Sequence, residues 1–225
     1  MNWRTCCAVV ALSVSAATSA GAADLNRAIL PMTGGTAGPD ILGTIAKPIQ
    51  GQRFGDSLAR AREDATHSPA MQRLIAAART LSPMQQMMFV QRVVSSNIHW
   101  ISDATEWGQH DYWASAAQTL SRGAGDGEDR AIVKFQALRA LGFNNSDLFL
   151  TMARDRVGGA ETVLTVRKDG HFYVFDDDGS DPFLAEQRRY EFEPVISFGL
   201  YGAWVHVRPQ TIAVASRTPT ALPRP

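Results

Sequence analysis

The chain has 225 residues, 45% of them hydrophobic, with 22 basic and 22 acidic side chains. That length buries one sizeable core with loose ends, and no stretch repeats at a solenoid period. The balanced charge leaves no net field to draw the protein onto nucleic acid or anionic lipid, so no nucleic-acid partner is expected.

Residues 1–23 read as a secretory signal: Arg4, an apolar run from Cys6 to Leu12, small residues Ser19 to Ala22, then Asp24. Cleavage near Ala22 or Ala23 would deliver a periplasmic or secreted protein. The apolar run is too short for an anchor and nothing later in the chain is long enough to span a bilayer, so an integral membrane protein is not expected. Cys6 and Cys7 are the two cysteines of the sequence. Their removal would exclude disulfides, cysteine-held metals and any thiolate nucleophile.

Residues 24–54 are rich in Gly, Pro and Thr without apolar period and read as a flexible lead-in; 209–225 read as a disordered Pro-containing tail around a domain at 55–208. Ser68-Pro69 and Ser82-Pro83 are helix starts, the second completed as a capping box by Gln85. That second helix should run to about Asn97, with Met84, Met88 and Val94 among its apolar positions. A third helix is expected from about Gly127 to Leu141, capped by Asp126 and ended by Gly142, with Ile132, Phe135, Leu138 and Leu141 at helical spacing. Strand periodicity follows at Leu148–Ala153, Glu161–Lys168, His171–Asp176, Phe192–Phe198 and Ala203–Val207. Asp169-Gly170 is a two-residue hairpin turn. Helices followed by an antiparallel sheet make an α+β fold.

The block Trp107-Gly108-Gln109-His110-Asp111-Tyr112-Trp113-Ala114, then Gly125-Asp126-Gly127-Glu128-Asp129 opening a helix, resembles the bacterial transglutaminase-like cysteine proteinases. The resemblance implies a papain/transglutaminase-like fold, in which a helix carrying the nucleophile packs on an antiparallel sheet. It also implies periplasmic cleavage of surface adhesins, a dependence on calcium, and membrane-anchored receptors as regulators. In that family a Gly-Asp-Cys-Glu-Asp turn delivers the cysteine, a histidine follows on a strand, and an aspartate on the next.

Transferred residue by residue, the cysteine falls on Gly127, which has no atom to attack a carbonyl. The histidine falls on Glu161 in Glu161-Thr162-Val163-Leu164-Thr165, and the aspartate on Asp176 in Val174-Phe175-Asp176-Asp177. Counting back from the hairpin turn pairs Lys168 with His171 and Val163 with Asp176, which makes Glu161 and Asp176 diagonal neighbours. Two facing carboxylates should raise a pKa or attract a cation.

Asp126 and Glu128 match the acidic positions around the family's calcium, and hard cations take such oxygen ligands. A helix cap at Asp126 with Glu128 and Asp129 complementing the dipole explains the same residues without an ion. The run Asp176 to Asp181 fails as an EF-hand, because Val174 and Ala185 fall at its ligand ends. His67, His99, His110, His171 and His206 supply no substitute base at family spacing, and Ser115, Ser121 and Ser180 lack a Gly-x-Ser-x-Gly elbow. Ser115 reads instead as the start of a short helix before Gly123. Three readings follow: a non-catalytic module that binds an adhesin segment or a receptor, a hydrolase of altered mechanism at the acidic site, and a calcium-stabilised structural domain.

Overall fold

The computed structural model describes residues 38–49, 54–154, 159–187 and 192–209. The segment 1–23, expected as a signal sequence, and residues 210–225 of the expected tail lie outside the described residues. The helices are α1 (Gly55–Arg62), α2 (Pro69–Ala78), α3 (Pro83–Asn97), the short α4 (Asp103–Glu106), α5 (Ala116–Arg122) and α6 (Gly127–Ala140). The strands are β1 (Ile45–Ile49), β2 (His99–Trp100), β3 (Ala124–Gly125), β4 (Leu148–Arg154), β5 (Ala160–Lys168), β6 (His171–Phe175), β7 (Phe183–Leu184), β8 (Glu193–Phe198) and β9 (Ala203–Val207).

Seven strands form one antiparallel sheet in the order β1-β9-β8-β4-β5-β6-β7, while β2 and β3 make a separate parallel pair. The β5–β6 hairpin pairs Lys168 with His171 across Asp169-Gly170, both at positive φ as this turn demands. Its ladder stops at Leu164↔Phe175, so Asp176 sits one residue past the end of β6.

Local signals explain the helices. Ser82 and Gln85 form the capping box of α3, and Ser115 and Gln118 form one on α5, which ends on Gly123 at φ 67°. The core stripe of α3 is Met87, Val90 and Val94; Met84 only leans on the core and Met88 is half-buried, so the stripe is rotated from the sequence expectation. The central α6 is buried from Asp129 through Leu138 on every side, not on one stripe alone. It lies between the sheet and α3 and α5, so its polar residues must find partners inside: Gln136 Nε2 donates to Ala61 O at 2.6 Å.

The core divides at the sheet. Leu148, Leu150, Leu164 and Val166 join the helices, whereas Ala153, Val163 and Val174 pack on the opposite face with Ile41 and Phe183. Within the segment 24–54, expected as a flexible lead-in, the described residues 38–49 depart from that reading. Ile45–Ile49 runs as an edge strand on β9, and Ile41 is 1% exposed under the far face. Pro48 belongs there because an edge strand can spare an amide donor, and the short Gly- and Pro-rich context hid its pattern.

A chain of polar side chains crosses the same sheet. Thr165 Oγ1 donates to Thr151 Oγ1 (3.0 Å), Thr151 meets Ser197 (2.9 Å), Ser197 meets His206 Nε2 (2.8 Å), and His206 Nδ1 meets Thr44 Oγ1 (2.8 Å). His206 is thus a sheet-crossing structural histidine.

Candidate functional site

The site forms where α4, the loop after it and the start of α6 converge. Asp126 caps α6, its Oδ1 accepting the Asp129 amide at 3.5 Å, the outer limit of a hydrogen bond. Gly127 is the first residue of that helix. A Cβ built there meets nothing closer than Thr162 O at 4.0 Å, so the helix N-terminus abuts β5 one residue past Glu161, with room for a side chain.

Asp103 opens α4 and is 4% exposed; its Oδ2 accepts the Tyr112 amide at 2.5 Å. Asp129 is fully buried, and its Oδ1 accepts the Ala114 amide at 2.7 Å. The loop 107–114 is therefore tied by its backbone to two acids. Asp103 Oδ1 and Asp129 Oδ2 are buried without a hydrogen-bond partner among the described residues.

Oxygens of Asp103, Asp126 and Asp129 lie within 4.8 Å of one another, as do those of Asp103, Asp111 and Glu128. Burial pushes Asp129 up to about 8. Burial first, and neighbouring acids second, raise Asp126, while burial is the main cause for Glu128 and Asp103. Such a cluster needs protons or a cation.

The donor set is all oxygen, two of its atoms are orphaned, and Gly125 is shaped to it: a Cβ there would fall 2.7 Å from Asp129 Cβ. The residues fit a hard divalent cation such as calcium. Sequence reading found Asp126 and Glu128 but not Asp103 or Asp111 as companions, and gave Asp129 a dipole role alone. Asp103 looks like an ordinary residue of a helix start, and only the folding back of the loop brings it to α6.

Glu161 lies at the start of β5, paired across β4 with Ala153. Asp176 sits over a second polar cluster: its carbonyl accepts from Gln91 Nε2 at 2.7 Å and from Lys134 Nζ at 3.1 Å, and its Oδ1 accepts the Asp177 amide at 2.6 Å. Arg130 holds both oxygens of Asp177 at 2.8 Å and donates to Ile98 O. Burial lowers Lys134 to about 8. Gly127, Glu161 and Asp176 thus fall at the start of α6, the start of β5 and just past the end of β6.

A buried helix whose N-terminus abuts an antiparallel sheet, with acids packed around its first turn, defines a papain- and transglutaminase-like α+β domain. Residues 43–211 match the family described as bacterial transglutaminase-like cysteine proteinase, and the chain belongs to that family. Among solved structures, LapG from Legionella pneumophila is similar at 27% identity with a TM-score of 0.54, over 60% of this chain and 76% of that one. A calcium-bound form of Legionella pneumophila LapG shares the fold at 24% identity and a TM-score of 0.55, over 71% of this chain and 92% of that one. No curated protein sequence matches the chain. Among the described residues no helix is long and apolar enough to cross a membrane.

Proposed function

We propose that this chain is a catalytically inactive member of its family, an exported pseudo-protease that holds calcium and binds a protein segment without cutting it. The observation that supports this reading is Gly127 at the first position of α6. A thiolate placed there would be activated by the positive end of the helix, but glycine has nothing to ionise. With Glu161 in place of the histidine, the base is missing as well, and Asp176 is the one triad position kept.

Groove shape and nucleophile are separable properties, so loss of chemistry leaves recognition available. The family resemblance points to an adhesin segment or a membrane-anchored receptor as partner, met in the periplasm after removal of residues 1–23. Calcium would sit among Asp103, Asp111, Asp126, Glu128 and Asp129. Its role is to neutralise the buried acids and fix the loop that carries Asp111.

The test is restoration. Gly127→Cys combined with Glu161→His should cut an adhesin segment in the presence of calcium, and chelation should stop it, while each single variant stays silent. Turnover by the unmodified protein that is lost on substitution at Glu161 or Asp176 would overturn the assignment.

A further inference from the structure

The loop that bears Asp111 also carries the rings of Trp107 and Tyr112, whose centroids are 4.5 Å apart. Beside it opens a cleft of about 490 Å³ lined by Arg60, Glu63, Trp107, Ser115, Gln118 and Arg122. Arg60, from α1, lies over the Tyr112 ring at 4.3 Å, and Arg122, at the end of α5, lies over Trp107 at 4.0 Å. Both are held in place: Arg60 Nε donates to Trp113 O at 2.6 Å, and Arg122 Nε is 3.5 Å from Glu106 Oε1.

A guanidinium placed over an aromatic ring gives up water on the ring side but keeps N–H groups free to receive a carboxylate. The α5 side of the cleft includes two short side chains, Ala117 and Ser121, beside Gln118, so an extended backbone can lie against it at those two positions. Glu63 on the lining and Glu106 beside Arg122 match the two arginines in number, so the cleft carries no excess of positive charge. That disfavours a dense polyanion such as nucleic acid and suits carboxylates spaced along a chain.

We propose that this cleft binds an extended acidic peptide segment, with side-chain carboxylates on Arg60 and Arg122. The assignment rests on the reading of the chain as a protein-binding module and names the chemistry of what it binds. Because Tyr112 N is bonded to Asp103 and Asp111 belongs to the acidic cluster, a cation there also fixes the platform under both arginines.

The probe is a fluorescein-labelled peptide alternating glutamate with glycine, followed by anisotropy on the calcium-loaded protein, with the glutamine-containing peptide as control. The acidic peptide should bind about tenfold tighter or better, and Arg122→Gln should cost about tenfold. Ser121→Glu, on the exposed α5 wall, should do the same with an unchanged melting temperature. Equal binding of the two peptides, or indifference to both variants, would overturn the proposal, as would tighter binding of tetragalacturonate than of the peptide. The assay reads no turnover. Restored proteolysis in the Gly127→Cys, Glu161→His variant without peptide preference would therefore remove only the cleft, whereas preference in a protein that proves to be an active protease would sustain the cleft and remove only the inactive reading.

Discussion

Gly125 and Asp129 are packed so closely that a Cβ on the glycine would come within 2.7 Å of the Asp129 Cβ and 2.9 Å of its Oδ2. The contact places β3 against the first turn of α6 and presses one acid of the cluster into place. Gly125→Ala must therefore shift a buried carboxylate or the strand. We expect a loss of about 2 kcal/mol in urea unfolding, in the range of overpacked cores, together with weaker calcium binding.

Calcium itself should stabilise the fold, because an ion that binds the native state alone raises its stability in proportion to the logarithm of its concentration. At about a hundredfold above the dissociation constant the gain is about 2.7 kcal/mol, or roughly 5–10 °C in melting temperature for a domain of this size. Asp103→Asn and Asp129→Asn should abolish the calcium-dependent shift. An unchanged melting temperature at millimolar calcium would leave Asp126 and Glu128 as helix caps.

The sheet-crossing chain gives a pH dependence with a definite sign. Thr44 Oγ1 donates to Ile41 O at 2.7 Å, so it accepts from His206 Nδ1–H, and Nε2 must then accept from Ser197. The imidazole is neutral, and burial lowers its pKa from 6.5 to about 4. A depressed histidine stabilises fully above its unfolded pKa, and that contribution fades as pH falls through 6.5 toward 4. Urea midpoints between pH 7 and 4.5 should drop by an amount worth up to about 3 kcal/mol, and His206→Gln should flatten that part of the decline.

Arg130 and Lys134 lie one turn apart on α6 and should respond differently to removal. Arg130→Met leaves Asp177, which is largely buried, without the guanidinium nitrogen that meets both its oxygens and should cost about 2–4 kcal/mol. Lys134→Met leaves Asp176 O still bonded to Gln91 and spares the protein a buried ammonium. Its stability change should stay within about 1 kcal/mol. Paired urea melts decide between them.

Much of the fold was legible because local chemistry and tertiary role agree. Ser82 with Gln85, Ser115 before Gly123, and the Asp169-Gly170 turn each act within a few residues, and the β4–β5–β6 strands keep their period in the core. The edge strand Ile45–Ile49 was not legible, since none of its residues is fully buried and Pro48 argues against a strand out of context. For the site, Asp126 and Glu128 announce themselves at the helix start. Asp103 and Asp111 reach them only through the loop fixed by the Tyr112 and Ala114 amides, a long-range fact with no sequence period.

The most direct measurement is mass spectrometry of an adhesin segment incubated with the unmodified protein, with and without calcium. The account predicts no cleavage product in either condition while the folded protein remains intact. Calcium-dependent products that vanish on Glu161→Ala would contradict it, because they would place working chemistry where Gly127 and Glu161 are held to have ended it.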